Sequence, residues 1–252
     1  MINLRGKVAL ITGASRGIGA ACAVKFAEAG ADVVVNYFQN EKQAARVAAE
    51  ARSRGVRALA VHADVARFDE VREMFERTVN ELGRLDVLVA NAGIWKGAPI
   101  DQMEKQTWDE TIAINLTGVY NCCHFAARIM KKQRSGRIIT VTSTAGQRGE
   151  AYYSNYAASK GGVISFTKSL AAELGPSGIT VNSVAPGWVD TDMAAEALSD
   201  SAELQKITSI IPLGRVATAE ECAGPIVFLA SDLANHINGE VLNVNGGSVL
   251  CG

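Results

Sequence analysis

Tyr156 and Lys160, four residues apart, carry the clearest chemistry in this sequence. Helical spacing puts both side chains on one face. A free phenol, with a pKa near ~10, is a poor base at neutral pH. A neighbouring ammonium favours phenolate and lowers that value, making a usable general acid/base. Tyr152 and Tyr153 have no Lys four residues on, so spacing selects Tyr156. Taken alone, such a pair is more often an ordinary surface contact. Thr142-Ser143-Thr144 closes an apolar run upstream. Any of the three could donate to a carbonyl oxygen, and any could cap a helix. Asn115 sits inside a helical pattern, a poor place for Asn unless it bonds locally or kinks the helix.

A second group of residues could hold an anion. Thr12 ends the first apolar run, and Gly13-Ala14-Ser15-Arg16-Gly17-Ile18-Gly19 leads into a helical segment. Glycines there let the chain turn sharply and let a pyrophosphate approach a helix N-terminus, where free N–H groups favour negative charge. The spacing is neither G-x-G-x-x-G nor a P-loop. Asp64-Val65 follows the third apolar run and Asn91-Ala92-Gly93 the fourth. Each could equally be a turn or cap.

The elements that must position these residues follow a steady rhythm. Apolar β-branched runs lie at Val8–Ile11, Val33–Val35, Ala58–Val61, Leu85–Val89, Ile138–Val141, Thr180–Val184 and Val241–Val244. Helix-period segments fall between them at about 17–29, 40–54, 67–82, 107–132, 155–174 and 218–230. This alternation predicts an α/β fold, a doubly wound parallel sheet covered by helices on both faces. No linker or repeat interrupts it, so residues 1–252 are expected to form one domain. The apolar stretch at about 187–213 lies outside the rhythm. It follows a strand's carboxyl end, where such sheets bind ligands, and is expected to act as a substrate lid rather than a peripheral hairpin.

Thr12-Gly13-x-x-x-Gly17-x-Gly19, Asp64-Val65, Asn91-Ala92-Gly93, Asn115, Ser143, Tyr156-x-x-x-Lys160 and Pro186-Gly187 occur in that order. The ordered set resembles the short-chain dehydrogenase/reductases along essentially the whole chain. The resemblance implies a single Rossmann domain with a seven-stranded parallel sheet. It also implies hydride transfer between a nicotinamide and a carbonyl or secondary alcohol. Tyr156 would then move the proton and Ser143 orient the substrate oxygen. Lys160 would lower the Tyr156 pKa and hold the nicotinamide ribose, and Asn115 would hold a water linking Lys160 to solvent. Gly13, Ser15, Arg16, Gly17, Ile18, Gly19, Asn36, Asp64, Val65, Asn91, Ala92, Gly93, Pro186, Gly187, Val189 and Thr191 would bind the cofactor. The family usually has Asn where Ala90 stands, a mild departure. The second strand ends Val35-Asn36-Tyr37-Phe38 without the carboxylate that would bond the ribose hydroxyls of NAD and repel a 2′-phosphate. With Arg16 in the Gly-rich turn, NADP(H) is favoured over NAD(H), although the second basic residue common after that strand is missing.

Within the family the chain most resembles the 3-oxoacyl-[acyl-carrier-protein] reductases, notably over 131–139 and 238–247. Expected substrates are therefore small carbonyl or alcohol compounds, possibly acyl-carrier-bound, with sugar, polyol or secondary-alcohol oxidation as the alternative. Arg134 matches a carrier-docking position, whereas Ser177, before Gly178, lacks the basic residue usual at the other. A non-catalytic dinucleotide sensor would have no use for a tuned phenol. The resemblance also implies a homotetramer built on the 107–132 and 155–174 helices. The net charge of −1 argues against nucleic-acid binding. No apolar run approaches the ~18 residues of a membrane span. His62, His124 and His236 lack zinc spacing. Cys22, Cys122, Cys123, Cys222 and Cys251 read as reduced thiols of a cytoplasmic protein.

Overall fold

The computed structural model describes residues 2–250; Cys251 lies outside them. Seven strands form one parallel sheet in the order β3-β2-β1-β4-β5-β6-β7. They are β1 (Val8–Ile11), β2 (Asp32–Tyr37), β3 (Ala58–His62), β4 (Val87–Ala90), β5 (Gly136–Val141), β6 (Ile179–Pro186) and β7 (Val241–Val244). Side chains alternate across this sheet, so each strand feeds two cores. Ala9, Ile11, Val33, Val35, Val89 and Ile139 face one way, against α1 (Gly17–Glu28), α2 (Glu41–Ser53) and α10 (Ala219–Leu229). Leu10, Val34, Leu88, Ile138 and Val181 face the other. There they meet α3 (Phe68–Leu82), α5 (Gly118–Gln133) and α7 (Ser154–Leu174). Two-sided burial explains why the strands read as continuous apolar runs.

The strand order reverses between β1, which pairs with β2 on one side, and β4 on the other. Crossovers leave these two strands towards opposite sides and open a crevice at their carboxyl ends. The Gly-rich turn, Asn91-Ala92-Gly93 and Ser143 all emerge along this edge.

Two elements depart from the sequence expectation. The single helix expected at 107–132 is α4 (Lys105–Ile112), a π-helical turn at Ala113–Thr117 that contains Asn115, and then α5. A short helix, α6 (Thr144–Arg148), follows β5; its N-cap is Ser143, whose Oγ accepts from the Ala145 N–H at 3.1 Å. The 187–213 stretch holds two short helices, α8 (Ala195–Ser199) and α9 (Ser201–Ser209), the second capped by the Asp200 carboxylate.

Candidate active site

The Gly-rich turn is held from three sides. Thr12 Oγ1 accepts from the N–H groups of Asn91 and Ala92 at 2.9 and 3.0 Å. Asn91 Nδ2 donates back to the Thr12 carbonyl at 2.8 Å. This reciprocal clasp locks the carboxyl ends of β1 and β4 together. Gly13, at φ +61°, packs so tightly that an added Cβ would lie 2.9 Å from Ala92 Cα. A Cβ on Gly19 would come within 2.5 Å of the Gly13 carbonyl. Neither Gly13 nor Gly19 therefore admits a side chain, and α1 begins with no capping side chain and no acidic residue in its first turn. Its free N–H groups face the crevice, an arrangement that suits a pyrophosphate.

Asn36, expected at the adenosine ribose, lies beneath the turn. It is fully buried. Its Oδ1 accepts from the Gly13 N–H at 3.1 Å, and its Nδ2 donates to the Ala63 and Val61 carbonyls. An amide committed in this way shapes the cradle and has no side-chain group left for a ligand. Asp64 closes a turn, accepting from the Ala66 N–H at 2.9 Å. Val65 is buried, and its carbonyl accepts from Asn121.

The crevice continues past Ile18, Asn91 and Gly93 to Ser143, Tyr156 and Lys160. Of the three candidates after β5, Thr142 is buried and bonded to Ser183 and to the Val184 carbonyl, and Thr144 is buried. Ser143 alone of the three acts on the Tyr156 phenol, favouring its ionised form, and the two share the crevice lining. Tyr156 and Lys160 do share a helix face: Lys160 Nζ lies 5.7 Å from the Tyr156 ring centre. Nζ itself donates to the Val141 carbonyl at 2.8 Å.

The electrostatics correct the simple expectation. Burial pushes the Tyr156 phenol up to about 12, with Ser143 pulling down against it and the Glu150 charge adding to the rise. Burial also pushes the Lys160 ammonium down, to about 8. Desolvation outweighs the attraction between the pair, because Nζ is aimed at a backbone carbonyl rather than at the phenol oxygen. Tyr156 therefore keeps its proton at neutral pH.

Asn115 is fully buried, and its side chain clamps Ile94: Oδ1 accepts from the Ile94 N–H at 2.8 Å and Nδ2 donates to its carbonyl at 2.9 Å. The π turn around it places this amide beside Ser159 and the Gly93 backbone. Extra π turns recur at functional sites.

The comparisons with known proteins agree with one another. A family model described as enoyl-(acyl carrier protein) reductase matches residues 13–248. A 3-oxoacyl-[acyl-carrier-protein] reductase of Synechocystis is 46% identical over 99% of this chain and 100% of its own length. A cyclohexanol dehydrogenase of Rhodococcus is 44% identical over 98% and 97%. A gluconate 5-dehydrogenase of Burkholderia cenocepacia, crystallised with NADP and tartrate, superposes with a TM-score of 0.93. It is 36% identical, covering 98% of this chain and 96% of that one.

The chain belongs to the short-chain dehydrogenase/reductase family. Its members are oxidoreductases acting on CH–OH and keto groups.

Arg16, at the start of α1, reaches across the crevice to Asp192 at 3.3 Å. Both side chains are more than half exposed, so the pair is weak and exchangeable. Thr191 packs over Gly17, where an added Cβ would lie 3.3 Å from its Cγ2. Pro186, Gly187 and Val189 line the same wall as Thr191.

The substrate end holds residues that motif reading missed. Trp95 stacks on Tyr153 at 4.4 Å with the rings 9° from parallel, and meets Trp188 edge-on at 5.6 Å. Glu150, Arg148 and Met193 complete the rim. No spacing rule links 95, 148–153 and 188; the only available signal was that each follows a strand's carboxyl end or abuts a recognised motif.

Arg134 lies elsewhere. It caps α5 just before β5, beside Gly178, where an added Cβ would sit 2.6 Å from the Arg134 carbonyl. The six residues of β5, about 20 Å at 3.3 Å each, separate it from Ser143. The two carrier-docking positions are thus neighbours, but at the sheet edge opposite the chain's own crevice.

Proposed function

We propose that this enzyme reduces small β-keto esters and β-ketoacyl thioesters with NADPH. The observation that carries the reading is the Ser143–Tyr156–Lys160 group on the floor of a crevice that opens onto the N-terminus of α1, which no side chain caps. Bound NADPH would supply the hydride. Ser143 holds and polarises the carbonyl oxygen, and Tyr156 hands it a proton as negative charge develops there. In the oxidative direction Tyr156 takes the proton back. Lys160, buried at the end of the cradle, is placed to hold the nicotinamide ribose. Because Ile94 occupies the Asn115 side chain, a water linking Lys160 to solvent would rest on the backbone of the π turn.

Three observations support NADP(H) over NAD(H): no carboxylate ends β2, Arg16 is weakly held, and the Burkholderia gluconate 5-dehydrogenase was crystallised with NADP. The 187–213 segment is read as a lid, since Trp188, Val189, Thr191 and Met193 line the crevice. No helix among the described residues is long and apolar enough to cross a membrane. We read the enzyme as cytoplasmic, its four described cysteines being buried and unpaired. A homotetramer is supported by Tyr120 and Phe68, which are exposed on an aromatic patch that also includes Phe166 of α7.

The aromatic wall favours a second reading, oxidation of ring secondary alcohols, consistent with the likeness to the Rhodococcus cyclohexanol dehydrogenase. The test is NADPH and NADH oxidation with ethyl acetoacetate, acetoacetyl-CoA and cyclohexanone, and the reverse reaction with cyclohexanol and gluconate. Turnover of the β-keto compounds with a preference for NADPH is expected. Turnover of cyclohexanol or gluconate with none of any β-keto compound would overturn it.

A further inference from the structure

Trp95 lines the crevice from a segment without regular structure, yet residues 94–98 of that segment are each held from behind. Asn115 takes both backbone groups of Ile94, and Tyr153 stacks on the Trp95 ring. The Lys96 carbonyl accepts from Asn155 Nδ2 at 3.1 Å. Gly97 packs so closely that an added Cβ would run into the Tyr152 carbonyl and the Tyr153 ring. The Ala98 N–H donates to the Tyr152 carbonyl at 2.7 Å. Tyr152 takes a left-handed φ of +68° there, a costly conformation for a non-glycine residue.

Two of these holds start on α7. Asn155 and Ser159 are four residues apart and share one helix face. They directly precede Tyr156 and Lys160. The same turns therefore present the reacting pair and, rotated by about 100°, a second pair that serves residues 94–96. Ser159 Oγ accepts from Asn115 Nδ2 at 3.3 Å and donates to the Tyr156 carbonyl at 2.7 Å. Asn155 is fully buried. Its Nδ2 also donates to Thr111 Oγ1 of α4 at 2.9 Å, while its Oδ1 has no partner among the described residues. Turning the amide over would set Oδ1 against the Lys96 carbonyl, acceptor facing acceptor, so the donor end is fixed on Lys96. A buried acceptor left unpaired is costly, and a leucine of similar volume would avoid that cost. What the asparagine adds is its hold on Lys96 and Thr111. The Lys96 side chain supplies no comparable hold, since its ion pair with Glu110 is about half exposed.

We propose that Asn155 is a positioning residue that sets the substrate wall: from the place next to the proton donor it holds the Lys96 carbonyl, and so fixes the Trp95 ring relative to Tyr156. A ketone bound between ring and phenol then meets a wall locked from behind. The proposal rests on the ketone-reductase reading above.

Asn155→Leu keeps the volume and removes both bonds. KM for ethyl acetoacetate should rise about fivefold, the equivalent of one net hydrogen bond. Because only uniform binding is lost, kcat should stay within about twofold, and Kd for NADPH should not change. Thr111→Val removes only the bond to α4. It should lower the melting temperature, as a buried donor loses its partner, and leave KM within about twofold. In a Trp95→Ala background Asn155→Leu should have no further effect on KM, since a residue that acts through Trp95 has nothing left to position. A readout that needs no substrate is acrylamide quenching of Trp95 fluorescence, taken as the difference from the matching Trp95→Phe protein. It should increase in Asn155→Leu and not in Thr111→Val. If Asn155→Leu does not fold, Asn155→Ser, too short to reach Lys96, carries the same measurements. If the wild type reduces no ketone, the substrate reading fails and the quenching decides on Asn155 by itself. Unchanged KM or unchanged quenching in Asn155→Leu, an equal rise in KM without Trp95, or as large a rise in Thr111→Val, overturns the proposal.

Discussion

Tyr156 and Lys160 show how burial, rather than sequence spacing, sets the protonation of a catalytic pair. Removing only the hydroxyl, Tyr156→Phe should lower kcat by ~10²–10⁴-fold, the usual range for a general acid. NADPH affinity, measured by fluorescence titration, should change little. Lys160 makes a different prediction. It is 4% exposed and its ammonium is pushed from 10.5 to about 8. Below pH 8 folded and unfolded chains both carry the proton, so the folded state bears the cost of a buried charge. Between 8 and 10.5 only the unfolded chain keeps it, and stability from this group rises with pH. A depression of that size corresponds to about 3 kcal/mol between the two protonation states. Lys160→Met should therefore be inactive yet more stable at pH 7, by on the order of 1 kcal/mol once the lost Val141 bond is subtracted. The gain in melting temperature should shrink as pH rises from 8 towards 10. A variant less stable at pH 7 would show that the ammonium is better solvated than its surroundings suggest.

At the scale of elements, the Gly-rich turn and the 187–213 segment meet at one ion pair. Arg16 belongs to the turn and Asp192 to the segment above it. A 2′-phosphate would compete with Asp192 for the same guanidinium, and charge-assisted bonds of that kind contribute roughly 1.5–3 kcal/mol. Arg16→Ala should weaken NADPH binding about tenfold or more and leave NADH nearly unchanged, as measured by Kd for each. Equal loss with both would make Arg16 a prop for the turn. The existence of this turn was legible in Gly13, Gly17 and Gly19. The buried Asn36 beneath it was not, because its partners Gly13, Val61 and Ala63 converge only once β1, β2 and β3 are paired.

For the whole molecule, the position of Arg134 constrains how a carrier could dock. A cation about 20 Å from Ser143, at the opposite sheet edge, does not line the crevice of its own chain. Rim charges act mainly on association rate and salt sensitivity. We expect kcat/KM for an acetoacetyl group on the protein carrier to exceed that on CoA only modestly, with little dependence on salt between low and moderate concentration. A large preference that salt abolishes would mean that a second copy brings its Arg134 to the crevice. Light scattering on the same sample would then have to show an oligomer.

The strands and the Tyr156–Lys160 pair were determined by the sequence, because each depends on neighbours along the chain. Two-sided burial writes itself as apolar runs such as Val33–Val35, helix geometry joins Tyr156 to Lys160, and tight turns demand Gly13 and Gly19. The structure alone decided what depends on groups meeting across the fold. It buried Thr142 and left Ser143, the residue the family resemblance implied, on the crevice, and it turned Asn36 inward. It opened a π turn at Asn115 and brought Trp95, Glu150, Tyr153 and Trp188 together from three separate segments. It also reversed the expected sign at Tyr156, since desolvation depends on everything packed around a group, and four residues of spacing carry no record of that.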